Sequence, residues 1–448
     1  MSVAGDGNKG KKKALVLIDG EHYPPVIKEA IDNLSKKYKI LGAYFIGGTE
    51  KIGERSLESE LGLNVYDKNL RDVIRRLRAE VVIDLSDEPV VDYERRFLLA
   101  SEVLIEGSSY IGPDFTFSPP ELFEVLNKPS VSIIGTGKRV GKTAVSGYVS
   151  RLLKENGLDP IVITMGRGGP KEPEIINSGT KITPESLLEI SKKGGHAASD
   201  HWEDALTSGV TTIGCRRCGG GLAGKTFFNN VIRGAEISNS MSGGIVIVEG
   251  SGAAIPPIRT DKVILVGSGR KKGISKFFGR YRILLSDLVI LTSCEDQGKS
   301  REIKEEVLSV KNIPVVETVF RPEPLGNIEG KRCFLIATSK QMVKNIPYLE
   351  ERYGCEIVGF SPNLSNRTKL KKEIEETLSG VEVVLTELKA SAVDLVTREA
   401  LAKGKEVIYY DNVPIGIPSN KVLTEEILRL VGEARRGWDW REGEEKES

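Results

Sequence analysis

Short, continuously apolar runs alternate along this chain with longer segments of helical periodicity. Runs at 14–18, 40–46 and 81–85 have the character of strands buried on both faces, and they lead into acidic residues or glycine. Between them, 25–37 and 70–78 carry apolar residues at helical spacing. A further helix is predicted over 93–102, with a short strand at 103–105. Strands alternating with helices imply a parallel sheet with helices on its faces. The stretch 111–120, rich in glycine, proline and aromatics, reads as a link to a second unit. That unit opens with a strand at 130–134 and a helix over 142–155. Strands at 160–164, 244–248, 262–266, 288–291 and 314–319 follow, with helices at 186–193 and 196–208. From Cys333 strands at 333–337, 356–360, 381–385 and 406–410 alternate with helices again. Periodicity leaves open whether they extend the central sheet or build a third unit. Residues 1–13 read as a disordered basic tail, and 438 onward as a polar one.

The sharpest local feature is Gly135-Thr-Gly-Lys-Arg-Val-Gly141-Lys142-Thr143, between a predicted strand and a predicted helix. In that context a glycine-rich loop cradles phosphate: backbone N–H groups and the helix dipole favour negative charge there. The expected nucleotide contacts are Gly135, Gly137, Gly141, Lys142, Thr143 and Ala144. Lys142 would reach the β- and γ-phosphates, and the Thr143 hydroxyl would ligate Mg²⁺. In the usual pattern glycine stands six positions before the lysine. Here Thr136 holds that place and Gly135 precedes it. This variant resembles dethiobiotin synthetase and its relatives among the P-loop proteins. Strand 244–248 delivers Glu249 at its carboxyl end, where a second Mg²⁺ ligand is expected.

Other charged constellations follow strands. Met165-Gly-Arg-Gly-Gly-Pro-Lys-Glu-Pro-Glu174 sits on the same rim as the loop, so Arg167 and Lys171 are candidates to bind a polyanion, and Glu172 or Glu174 to touch metal. Arg216 and Arg217 stand before Gly219-Gly-Gly221, and guanidinium groups bind phosphate or carboxylate bidentately. Lys138 and Arg139 in the loop could add charge at a phosphoryl-transfer transition state. In the first unit Asp19, Glu21 and His22 end a strand and are candidate substrate contacts, with Asp87 and Glu88 ending another. The run Arg270-Lys271-Lys272 reads mainly as a solvated face. Cys215 and Cys218 form a lone CxxC with no second ligand pair, which argues against zinc.

Composition narrows the function. In 448 residues, 28% are charged and the net charge is only +1, against a dedicated nucleic-acid binder. No apolar run is long enough to span a bilayer, and no signal peptide is read, so a cytoplasmic protein is expected. Five cysteines do not make a disulfide framework. Abundant charge with two glutamines is compatible with a thermophile.

The segments ALVLIDGEHYPP, GTGKRVGKTA, ITMGRGGPKEPE, SDHWEDALTSGVTTIGCRRCGGGLAG and IVIVEGSGAAIPP, in this order, resemble the cyclic 2,3-diphosphoglycerate synthetase family. The resemblance runs from near residue 14 to beyond 320. It implies an α/β protein: an N-terminal α/β domain over 1–128, a P-loop nucleoside-triphosphatase domain of dethiobiotin-synthetase-like type over 129–330, and a C-terminal α/β region over 331–448. It implies ATP and Mg²⁺ as cofactors, 2,3-diphosphoglycerate as substrate, and cyclic 2,3-diphosphoglycerate, ADP and phosphate as products. A monovalent cation and a homodimer stay open. The rival reading is a dethiobiotin-synthetase-like ligase acting on a carboxylate, which the many basic residues near the loop disfavour. A regulatory GTPase or partition ATPase is a second rival, but Thr292-Ser-Cys-Glu-Asp296 does not supply a guanine-binding Asn-Lys-x-Asp element.

Overall fold

A computed structural model describes residues 10–51 and 56–447. The expected basic tail lies outside the described residues up to position 9, and its last residue already belongs to the strand Lys13–Ile18. The chain forms two compact units, Met1–Pro120 with Gly273–Leu285, and Glu121–Lys272 with Ser286–Ser448.

The first unit holds a 6-stranded sheet in the order Val65–Tyr66, Lys39–Phe45, Lys13–Ile18, Val81–Asp84, Ser109–Ile111, Thr116–Phe117. All neighbours are parallel except the last pair. The strand expected at 103–105 is instead the end of one helix, Tyr93–Ile105. Val103 and Leu104 are buried with Leu99 and Ala100, at helical spacing that a three-residue apolar run conceals. The expected link at 111–120 is in part a short antiparallel pair. It is packed by aromatics, with Phe115 stacked on Phe117 and Phe117 edge-on to Phe278.

The second unit is built on a 13-stranded sheet. One half places Thr211–Cys218, Pro160–Gly166, Ile245–Glu249, Ser130–Gly135, Lys262–Ser268, Leu288–Thr292 and Val315–Pro324 side by side, all parallel. The strand Thr211–Cys218 escapes a periodicity reading because glycine, cysteine and two arginines interrupt its apolar run. The other half, Glu406–Ile417, Val383–Thr386, Arg332–Ile336 and Glu356–Ser361, is also parallel within itself. The halves meet at one antiparallel pair, from Glu317 opposite Ile417 to Pro324 opposite Tyr410. The C-terminal strands therefore extend the central sheet.

This register has a geometric consequence. Val315–Pro324 pairs with its parallel neighbour only through Val315 to Glu317, then runs on past that neighbour's carboxyl end. Glu406–Ile417 pairs with Val383–Thr386 only through Glu406 to Tyr409. The C-terminal half is thus displaced beyond the carboxyl edge of the first half and runs the opposite way. The carboxyl ends of both sets of strands face each other across a cleft.

The polar tail expected from Trp438 is helical, as part of Asn420–Glu447, and Arg441 pairs with Asp261. Earlier in this helix Leu423, Ile427, Leu430 and Val431 are buried against Val131, Ile133 and Ile264 of the P-loop half. Among the described residues no helix is long and apolar enough to cross a membrane.

Ile427→Ala should destabilise the protein by about 2–5 kcal/mol through loss of buried surface and the cavity left behind. Val422→Ala, at a position 38% exposed, should cost under about 0.5 kcal/mol. Denaturant unfolding of the two variants checks the contrast.

Candidate active site

The strand Ser130–Gly135 delivers the glycine loop, and Lys142 opens the helix Lys142–Glu155. Gly141 caps this helix at φ +91°, and a Cβ there would lie 2.4 Å from Cζ of Phe320. Only glycine meets both demands. Gly135 has a different reason to be glycine: a Cβ would lie 2.7 Å from Cδ of Lys142. The displaced glycine of this loop variant is what lets the lysine fold back. Lys142 Nζ donates to the carbonyl of Gly137 at 3.0 Å, and Thr292 Oγ1 holds the carbonyl of Val140 at 2.8 Å.

Thr143 Oγ1 donates to Glu249 Oε1 at 2.9 Å, so the two expected Mg²⁺ ligands meet. Glu249 is buried, and burial, reinforced by the charge of Asp200, pushes its carboxyl up to about 7. Burial also lowers the Lys142 ammonium, with Glu249 and Asp200 opposing that shift. Asp204 is fully buried, and burial and then Glu249 push it well above the usual carboxylate range. Glu249 Oε2 and both carboxylate oxygens of Asp204 find no donor among the described residues, and the two carboxyls are close enough to share a proton. A buried pair of carboxyls beside a P-loop threonine fits a divalent cation, which would take that proton's place. Among the described residues no cluster of three or more His, Cys, Asp or Glu forms a self-sufficient metal cage. Mg²⁺ here would complete its shell with water and nucleotide oxygens, which is its habit.

A cavity of about 560 Å³ opens in front of the loop. Lys138, Arg139, Lys142, Thr143, Ala144, Arg167 and Glu249 all line it. Arg167 lies against Gly252, where a Cβ would be 2.7 Å from its Nη2 and 3.3 Å from Arg217 Nη2. Arg217 Nη2 also donates to the Ser251 carbonyl at 2.8 Å. Burial, and then Arg167, lower the Arg217 guanidinium, and among the described residues neither arginine has a carboxylate in ion-pair contact. Arg217 is not itself part of the cavity lining but abuts the lining residues Ser251 and Gly252, and Arg216 and Lys171 stand apart from it. The Arg216 guanidinium lies 5.5 Å over the Phe228 ring, and the Lys171 carbonyl accepts from Asn230. Arg270 also lines the cavity and pairs with Glu295.

Asp19, Glu21 and His22 belong to the N-terminal unit. Asp19 Oδ1 accepts from the backbone of Glu21 and His22 and contacts His22 Nδ1, and Oδ2 accepts from the backbone of Asp87 at 2.7 Å. This buried carboxylate ties together the loops after two neighbouring strands. Of the CxxC pair, Cys218 is exposed, while Cys215 is buried and burial pushes its thiol up to about 12.

The far wall of the cavity comes from the C-terminal half. Thr338, Ser339, Gln341, Glu387, Lys389 and Asn412 line it. They follow Arg332–Ile336, Val383–Thr386 and the start of the antiparallel junction. The first two strands flank a topological switch point, where open α/β sheets bind ligands. Glu387 accepts from the Thr338 backbone at 3.0 Å and from the Tyr410 hydroxyl at 3.2 Å. Lys389 Nζ pairs with buried Glu203 at 2.8 Å across the cleft. Sequence reasoning missed this wall and the acids Asp200 and Asp204. The acids carried a legible signal: Asp200, Glu203, Asp204 and Thr207 fall on one face of the helix Asp200–Ser208.

The raised carboxyl of Glu249 has a pH consequence in the nucleotide-free protein. Its folded value of about 7 exceeds the ordinary 4.5, so the folded state holds the proton more tightly. That contribution to stability is full below about pH 4.5 and is lost as pH rises through about 7. Glu249→Gln should therefore raise the stability of the nucleotide-free protein at pH 8, by up to about 3 kcal/mol. The same variant should lose the thermal stabilisation that Mg-ATP gives the parent. Melting curves with and without Mg-ATP check both halves.

Comparison with known proteins gives the family. The model for the cyclic 2,3-diphosphoglycerate synthetase P-loop domain matches residues 130–320, that for the N-terminal domain matches 13–118, and that for the C-terminal domain matches 324–413. The cyclic 2,3-diphosphoglycerate synthetase of Methanothermus fervidus is 47% identical over 446 residues, covering 94% of this chain and 97% of that protein. That of Methanothermobacter thermautotrophicus is 48% identical, covering 91% and 93%. That of Thermococcus kodakarensis is 49% identical, covering 93% and 98%. This chain belongs to the cyclic 2,3-diphosphoglycerate synthetase family.

Proposed function

We propose that this protein uses ATP to close 2,3-diphosphoglycerate into cyclic 2,3-diphosphoglycerate, releasing ADP and phosphate. The observation that carries the reading is the pair of guanidinium groups, Arg167 and Arg217, against the Gly252 turn, three residues beyond the glutamate that meets the P-loop threonine. A site with a nucleotide cradle and uncompensated positive charge beside it suits a second, highly charged phosphate substrate.

One substrate phosphate oxygen attacks the γ-phosphorus of ATP and ADP leaves. The second substrate phosphate then attacks the activated phosphorus, phosphate leaves, and the ring closes. Both steps bring like charges together, so the protein's task is positioning and electrostatic stabilisation. Gly135, Gly137, Gly141, Lys142, Thr143 and Ala144 hold the nucleotide phosphates. Thr143 and Glu249 would hold Mg²⁺, which neutralises phosphate charge when bound. Lys138 and Arg139 supply charge where the transferred group passes. Arg167 and Arg217 screen and orient the substrate phosphates, with Arg216 and Lys171 adding positive charge nearby. Asp19 braces the N-terminal loop that carries Glu21 and His22, which are further candidate substrate contacts. The facing C-terminal wall shields the site from water. We also assign the nucleotide half, within a domain spanning 129–330, to the dethiobiotin-synthetase-like class. Gly135 and the strand order around it support that assignment.

Incubation with Mg-ATP and 2,3-diphosphoglycerate should produce a cyclic pyrophosphate signal in ³¹P NMR together with ADP. ADP without that signal would favour a ligase acting on another acceptor. Lys142→Ala should lower kcat by at least about 10³-fold, and Arg167→Ala should chiefly raise KM for the diphosphoglycerate. Full activity in Lys142→Ala would reject the P-loop assignment.

A further inference from the structure

The helix Asp200–Ser208 opens with Ser199 as its cap residue, in extended backbone geometry. A serine there ordinarily accepts an N–H from the first helical turn. Ser199 makes no such bond. Its Oγ lies 3.0 Å from Nδ1 of His201, and the other ring nitrogen, Nε2, lies 3.0 Å from Glu174 Oε2. The His201 hydrogen bond holds the Glu174 carboxyl below its ordinary value, so Glu174 is ionised and can only accept. Nε2 therefore carries a proton, and in the neutral ring Nδ1 accepts from the Ser199 hydroxyl.

The surroundings give this chain of groups a direction. Ser199 lines the cavity in front of the P-loop. His201 is 3% exposed, and its ring is seated on Gly214, where a Cβ would lie 2.5 Å from Cγ. The Glu174 side chain is 44% exposed. Among the described residues the charged group in contact with the ring is Glu174, from the strand Glu174–Ile176; its own helix also carries Asp200 and the Lys389-paired Glu203. The strand Thr211–Cys218 presents the Gly214 backbone to it.

We propose that Ser199, His201 and Glu174 form a proton relay from the phosphate cavity to solvent, which readies a substrate phosphate for attack. The inference rests on the phosphotransfer reading above and adds a group to that reaction. A phosphate monoester keeps a proton on part of its population near neutrality, and removing that proton makes the group a stronger nucleophile. In the relay the phosphate O–H bond breaks as its proton passes to Ser199 Oγ. The serine's own proton passes to His201 Nδ1. The hydroxyl is regenerated, and the imidazolium stands opposite the Glu174 carboxylate until it releases a proton to water. Ser199 touches substrate, and His201 and Glu174 act through it.

The test uses full-length protein with Mg-ATP and 2,3-diphosphoglycerate. His201→Gln and Ser199→Ala should each lower kcat about 10²-fold, with KM for ATP within about threefold of the parent. Ser199→Thr should restore most of the rate. The pH profile of kcat in the parent should carry a limb that vanishes in His201→Gln. Retention of kcat within threefold in His201→Gln would overturn the relay, as would a loss of rate with the pH profile unaltered in shape. A phosphoryl group found on Ser199 by intact mass after a single turnover would also overturn it, making the serine a covalent acceptor. Parent protein that makes no cyclic product defeats the phosphotransfer reading and the relay together. Parent protein that makes it, while His201→Gln keeps its rate and profile, defeats the relay alone.

Discussion

A buried ammonium and a buried carboxylate lie within electrostatic reach of each other at the amino end of one helix, and the P-loop is arranged around that coupling. Lys142 and Glu249 are 7% and 2% exposed, burial that neither charge would survive alone. Each moderates the other's shift. Thr143 bonds Glu249, and Gly135 leaves room for the lysine to fold back. Glu249 Oε2 and the buried Asp204 carboxyl, which find no donor among the described residues but each other, concentrate negative charge beside it. A cation with a polyphosphate would balance these charges.

The second constraint is topological. A parallel sheet presents its strand ends, and hence its ligand groups, along one edge. Turning the chain back through a single long antiparallel pair, beyond that edge, makes a second parallel half point its own strand ends at the first. Loops far apart in sequence, such as 138–143 and 387–390, then share one cavity. Phe320 of the junction strand packs on Gly141 of the loop, and Arg151 of the loop's helix pairs with Asp411 of the returning strand at 2.8 Å. The junction is thereby coupled mechanically to the nucleotide site.

The charge distribution follows from the same cleft. On one side Asp200, Glu203 and Asp204 share a helix face; on the other Lys389 reaches across to Glu203. This pair is held on both sides, since Glu387 stands 3.9 Å from the same ammonium. Arg167 and Arg217 make no ion pair among the described residues, and Asp200 is the carboxylate that opposes the lowering of the Arg217 guanidinium.

Much of this was legible in the residues themselves, because the relevant physics is local. A strand, a glycine loop and a helix start are adjacent in sequence, so the phosphate cradle and its glutamate could be read from spacing and periodicity. Continuous apolar runs marked nearly every central strand. What could not be read depends on contacts between distant segments. The run 103–105 has the residues of a strand, yet packing makes it helical, and the helix through Trp438 loses its apolar stripe after Ala434 and there leans on an ion pair. No pattern within 383–410 announces that it walls a nucleotide site. Nor does any signal in Ser199 reveal that its hydroxyl forsakes the helix cap for an imidazole two residues on. Local sequence settles which backbone shapes and dipoles a segment prefers. Which side chains lose water together, and so which charges must find one another, is decided only when the sheet closes its two halves.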